Sequence, residues 1–149
     1  MGATSGSLVS LRLTTVAQAA HKSLPLILAR EFASNIATPV VILDELGRLV
    51  FFNERAEQII GQTQAEVGEL APDEWTRLFT IARLDGTPVA YHEQAVGIAH
   101  MEKRPAHDVQ AFTTVDGIRH EIEVTAIPLL GRGDELQGVV AVFWERAQT

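Results

Sequence analysis

The sequence contains no cysteine. That removes disulfides, cysteine-ligated metals, iron–sulfur clusters and thiol catalysis together. A chromophore attached through a thiol goes with them. Positive charge is also scarce: 12 Lys and Arg stand against 19 Asp and Glu, a formal charge of −7. A nucleic-acid footprint needs clustered basic residues, and an anionic membrane surface attracts the same residues, so neither partner is expected. No apolar run reaches the length of a bilayer span. The opening MGATSGSLVSLRLTT has no charged segment ahead of a compact apolar core, so a signal peptide is not expected. Gly6 breaks the N-myristoylation pattern. There is no Gly-rich phosphate loop. Ser5, Ser7, Ser10, Ser23 and Ser34 crowd the N-terminal region without a nucleophile elbow around any of them. The default expectation is a cytoplasmic protein that is not an enzyme.

What is present suits one globular domain. The chain has 149 residues, 46% of them apolar, enough to bury a sizeable core. Its most ordered stretch is Thr38 to Gly61, TPVVILDELGRLVFFNERAEQIIG. Pro39 to Leu43 is apolar and rich in β-branched residues, so it prefers a strand. Asp44-Glu45-Leu46-Gly47 is turn chemistry, since Asp can bond nearby backbone and Gly supplies a positive φ. Leu49 to Phe52 is a second strand. Asn53 stands where a short polar side chain caps a helix, and Glu54 and Glu57 fall in that helix's first turns, where negative charge suits the dipole. Ala56, Ile59 and Ile60 give it one apolar face.

Before this stretch, Val16, Ala19, Ala20, Leu24, Ile27, Leu28, Phe32 and Ile36 recur at helical spacing. Pro25 divides the segment and starts a second helix, which should end before Pro39. Beyond Gly61, Gln64 to Gly68 reads as a small helix. Another starts at Pro72-Asp73-Glu74, with Trp75, Leu78, Phe79 and Ala82 on one face. Asp85 to Pro88 is a turn. Glu93 to Met101 is a further helix, with Ala95, Val96, Ile98 and Ala99 directed inward. Three strands close the chain: Asp108–Thr114, then Ile118–Leu129 after an Asp116-Gly117 hairpin turn, then Leu136–Trp144. In the second of these, Ile122, Val124 and Ala126 alternate with Glu121, Glu123 and Thr125.

The ordered set Val41-Ile42-Leu43-Asp44, Gly47-Arg48-Leu49, Asn53 and Gly61 resembles the opening of a PAS domain, the sensor module of bacterial signalling proteins. DGTPV, a helix, DVQAF, DG, EVTAIPL and GVVAVF resemble its closing half. The resemblance covers roughly Ile36 to Arg146. It departs at the end, where Glu145-Arg146-Ala147 takes the place of the Asp-x-Thr linker that often leads into an effector. No kinase, cyclase or DNA-binding sequence is read within these residues.

The resemblance implies an α+β fold: a five-stranded antiparallel sheet of order 2-1-5-4-3 with helices on one face. Residues 1–35 would form an N-terminal helical extension for capping or dimerisation, 36–146 the PAS domain, and 147–149 a tail. It also implies a sensory or interaction function, with a small apolar or aromatic ligand in the core, or none, and signalling through dimerisation. The alternatives are a ligand-free structural dimerisation domain and a haem-binding redox or gas sensor.

The expected pocket is lined by Val41, Leu43, Phe79, Ile98 and Met101, by Ile122, Val124 and Ala126, and by Val139, Ala141 and Phe143. Phe112 joins them by the family register, whereas a two-residue turn at Asp116-Gly117 would put Val109 and Ala111 inside instead. His92 and His100 fall at or in the helix that carries the haem ligand in haem-binding relatives, but nothing beyond this placement selects a metal. Dark flavin binding stays open, although the light-sensing branch's reactive cysteine is missing. His120 cannot share a strand face with Glu121 and Glu123, so that cluster reads as a solvated carboxylate face and not as a metal site.

The first, second and fifth strands are apolar on both faces. Their outer faces would merge into a patch too large to leave wet. The N-terminal segment, about Val16 to Ile36, is the expected cover, in its own subunit or swapped onto a partner in a homodimer.

Overall fold

The computed structural model describes residues 24–147. Helix α1 (Leu24–Ser34) leads into strands β1 (Val40–Asp44) and β2 (Leu49–Phe52). Helices α2 (Glu54–Ile60), α3 (Gln64–Val67) and α4 (Pro72–Leu78) follow, then a short strand β3 (Thr80–Ala82). A 3-10 turn at Tyr91–Glu93 precedes helix α5 (Ala95–Glu102). Strands β4 (Ala106–Thr113), β5 (Arg119–Leu130) and β6 (Leu136–Glu145) complete the chain. The part of the proposed cover before Leu24, and its helical spacing from Val16, lie outside the described residues.

All strand pairs are antiparallel, in the order β2-β1-β6-β5-β4-β3. The sheet thus has six strands and not five. Without β3 the order is the expected one. The sixth comes from a segment read as the end of a helix. Phe79 turns extended (φ −116°, ψ 104°) and ends α4, and Ile81 then pairs with Phe112 on β4. Three residues are too few to show a strand period.

The β1–β2 turn forms as its residues dictate. Asp44 is buried, and its Oδ1 accepts from the backbone N–H of Leu46 and Arg48 at 2.9 and 3.0 Å. Its Oδ2 meets Arg48 Nε at 2.6 Å, while Gly47 takes the positive φ of 81°.

Asn53 does more than cap α2. Its Oδ1 accepts from Ala56 N–H and from Val40 N–H, both at 3.0 Å. Its Nδ2 donates to the carbonyls of Ala33 and Thr38 at 2.9 and 2.8 Å. One buried amide therefore fastens the end of α1, the connection to β1, the start of β1 and the start of α2.

The sheet separates two apolar clusters because strand side chains alternate between faces. On one face Leu43, Val139, Ala141, Phe143, Ile122, Val124 and Ala126 meet Ala56 and Ile60 of α2, Trp75 of α4, and Ala95 and Ala99 of α5. On the other, Val40 and Ile42 meet Leu26 and Ala33 of α1, with Val50, Phe51, Leu129, Val140 and Val142 around them. The apolar outer patch is therefore covered by α1 of the same chain. Arg30 adds its guanidinium 5.2 Å from the Phe51 ring centre, a cation–π contact. Gly138 makes the close seating possible: a Cβ there would lie 2.5 Å from Leu26 Cδ2 and 2.6 Å from the Leu43 carbonyl oxygen.

Candidate ligand-binding cavity

Between the inner sheet face and the helices lies a cavity of about 80 Å³. Of the twelve residues expected to line it, eight do: Val41, Leu43, Phe79, Phe112, Ile122, Val124, Ala141 and Phe143. Ala126 and Val139 are fully buried in the same cluster but do not reach the cavity wall. Ile98 is half-buried and lies outside the wall.

Met101 is a correction. It is 61% exposed. Helix α5 approaches the core through the small residues Ala95, Gly97 and Ala99, so the side bearing Met101 faces away. Gly97 is required where the 3-10 turn folds back onto α5, since a Cβ would fall 1.8 Å from the Tyr91 carbonyl oxygen.

The choice between Phe112 and its neighbours is settled by the hairpin. Thr114 N–H bonds to Ile118 O, and Gly117, at φ 84°, donates to Thr114 O. The loop is therefore three residues, Val115-Asp116-Gly117, and Phe112 stands opposite His120 and Gln110 opposite Ile122. One extra loop residue flips which alternate set faces in. Glu121 and Glu123 face away from the cavity as expected. Glu121 meets Arg119 at 3.2 Å, and Glu123 accepts from Trp144 Nε1 at 3.3 Å.

Seven further residues complete the wall: Leu49, Ile60, Trp75, Ile81, Gln94, Val96 and Gln110. The two glutamines are its polar features. Gln94 is buried and donates from Nε2 to Val89 O at 3.2 Å. Gln110 is 7% exposed, and its Oε1 is buried with no hydrogen-bond partner among the described residues. Sequence reading missed both, although Gln110 shares its strand face with Phe112 two positions on.

A second set of side chains ties this wall to the β1–β2 turn. Trp75 Nε1 donates to Gly47 O at 2.9 Å. His100 Nε2 lies 2.9 Å from Glu45 O, and Nδ1 lies 2.9 Å from the Tyr91 hydroxyl. A carbonyl only accepts, so Nε2 carries a proton. In the neutral ring, Nδ1 then accepts from Tyr91. Both ring nitrogens are thus engaged, and neither is free to ligate haem iron. His92 has a 66% exposed side chain beside Glu93. Among the described residues there is no group of three or more His, Cys, Asp or Glu that could hold a metal. Burial pushes the Tyr91 hydroxyl up to about 12.

An antiparallel sheet of this order, with helices and a cavity on one face and a helix across the other, defines a PAS fold. The PAS-domain family model matches residues 29–90, and the chain has the fold of a PAS domain. No curated protein matches the chain.

Similar solved structures include the PAS domain of BvgS from Bordetella pertussis, at 16% identity and TM-score 0.56, covering 83% of this chain and 86% of that one. The PAS domain of nitrogen regulation protein NR(II) from Vibrio parahaemolyticus is similar at 16% identity and TM-score 0.55, covering 80% of this chain and 98% of that one. A Rhodobacter sphaeroides LOV protein is similar at 14% identity and TM-score 0.61, covering 80% of this chain and 66% of that one. At these identities the likeness is one of fold. No helix among the described residues is long and apolar enough to cross a membrane.

Proposed function

We propose that this PAS domain is a sensory module that takes a small apolar or aromatic ligand into the cavity and signals through a homodimer. The observation that carries this reading is the sharing of strands between cavity and outer face. Val41, Ala141 and Val124 line the cavity, while Val40, Ile42, Val140 and Val142 on β1 and β6 carry α1. A shift of these strands on ligand entry reaches α1 directly.

The outward side of α1 supplies a surface for a second copy. Leu24, Ile27, Leu28 and Phe32 are 51%, 46%, 61% and 64% exposed, more apolar area than one helix ordinarily leaves wet. Residues 1–35 serve in this reading as the capping and dimerising extension, 36–146 as the sensor, and 147–149 as a tail.

The small size of the cavity favours one other reading, a ligand-free dimerisation domain. Native mass spectrometry with an absorbance scan separates the two. A bound small mass supports the sensor, and a dimer without one supports the structural domain. A Soret band would contradict both by showing haem. Light scattering on the intact chain and on a chain lacking Met1 to Ser34 tests the dimer. A truncated protein as stable and dimeric as the intact one overturns the role of the extension.

A further inference from the structure

We infer that the cavity's ligand is a neutral, single-ring aromatic molecule carrying a hydrogen-bond donor, of the phenol class, whose donor goes to Gln110 Oε1. This rests on the reading of the cavity as a ligand site and names the chemistry it takes. The wall is aliphatic and aromatic, with Phe79 and Phe112 ring centres 5.5 Å apart. No Asp, Glu, Lys, Arg or His lines it. A carboxylate or ammonium group would be buried there without a counter-charge, so the ligand is neutral.

The volume sets the size. An apolar protein cavity of ~150 Å³ binds benzene, and this one is about 80 Å³, so one ring is the upper bound and its entry requires the wall to yield.

Gln110 sets the polarity. Gln110 lines the cavity, and its Oε1 is a buried acceptor with no partner among the described residues. Folded proteins rarely leave such an acceptor unmet. The other amide of the wall does not meet it: Gln94 Nε2 turns one N–H to Val89 O at 3.2 Å, and its second N–H does not reach Gln110 Oε1. A donor on the ligand satisfies Gln110 and orients the ring against Phe112, which lies on the same face of β4.

Calorimetric titration of the full chain with phenol and with toluene, which are nearly equal in size, tests this. A hydroxyl buried without a partner weakens binding by about tenfold or more, so phenol binding at least as tightly as toluene is the expected result. Phenol tenfold weaker than toluene overturns the inference and leaves an apolar ligand site standing. Gln110→Met should weaken phenol by about tenfold while leaving toluene within about twofold. An unchanged phenol affinity in that variant also overturns the inference. If Gln110→Met fails to fold, the wild-type comparison of phenol with toluene decides. If neither compound binds at millimolar concentration, the ligand reading fails together with the inference built on it.

Discussion

Replacing Asn53 by Ala removes four hydrogen bonds at one point: to Val40 N–H, Ala56 N–H, Ala33 O and Thr38 O. The magnitude follows from what is left behind. Losing the α2 cap costs about 1 kcal/mol. Val40 N–H and Ala33 O sit in the buried part of this junction. Each becomes an unpaired buried group at about 1–2 kcal/mol. The expected loss is about 3–5 kcal/mol, a large share of the ~5–15 kcal/mol that holds a domain together.

Asn53→Asp is the informative partner variant. It keeps an oxygen for Val40 and Ala56 but offers no donor, and it sets a negative charge against two carbonyl oxygens. That environment favours the protonated acid, so folding binds a proton. The variant should therefore regain stability as pH falls. Urea unfolding followed by tryptophan fluorescence, from Trp75 and Trp144 together, measures both variants. A loss under about 1 kcal/mol for Asn53→Ala would refute the reasoning, showing that water or a relaxed cap replaces the amide.

Three other outcomes are expected. Gly138→Ala pushes a methyl group against Leu26 and the Leu43 carbonyl, so urea unfolding should show a loss of about 1–3 kcal/mol from overpacking. Tyr91 is the one tyrosine in the sequence, so ultraviolet titration reads it alone. Its midpoint should be about 12 in the folded protein and about 10 in urea. The folded state holds the proton longer, so this contribution to stability is complete below about pH 10 and is lost as pH rises from there towards 12. Glu121→Ala, on the outer face with Arg119 and Arg146, should change stability by no more than about 0.5 kcal/mol; a larger loss in urea unfolding would contradict a solvated role for that face.

The readable parts of the fold are those fixed by neighbours in sequence. Asp44, Gly47 and Asn53 each act within a few residues, so the β1–β2 turn and the start of α2 were legible. The other three bonds of Asn53 reach Thr38, Val40 and Ala33, as far as 20 positions back, and no local pattern announces them. Periodicity shows that α5 has an inward side, but the helix's rotation depends on how closely Ala95 and Ala99 let it approach the sheet, and that turns Met101 outward. The β4–β5 register turned on one loop residue, since Val115-Asp116-Gly117 and a two-residue turn are both compatible with the same Asp-Gly pair. Gln94 and Gln110 carry no local sequence signal that marks them as lining residues, and only the fixed register shows that Gln110 points the same way as Phe112.

The two outermost strands are already occupied along their free sides. On β2, Leu49 exchanges both backbone hydrogen bonds with Leu70, at 2.8 and 3.0 Å, and Phe52 N–H goes to Gln64 Oε1 at 2.5 Å. On β3, Ala82 is bridged to Pro88, and Arg83 N–H takes Thr87 O at 2.8 Å. Unsatisfied strand edges are templates on which foreign strands add. Here those templates are blunted at both ends, so copies of this chain meeting at high concentration have little backbone to zip onto. Growth into ordered aggregates would first require the Leu49–Leu70 or Ala82–Pro88 bridge to open.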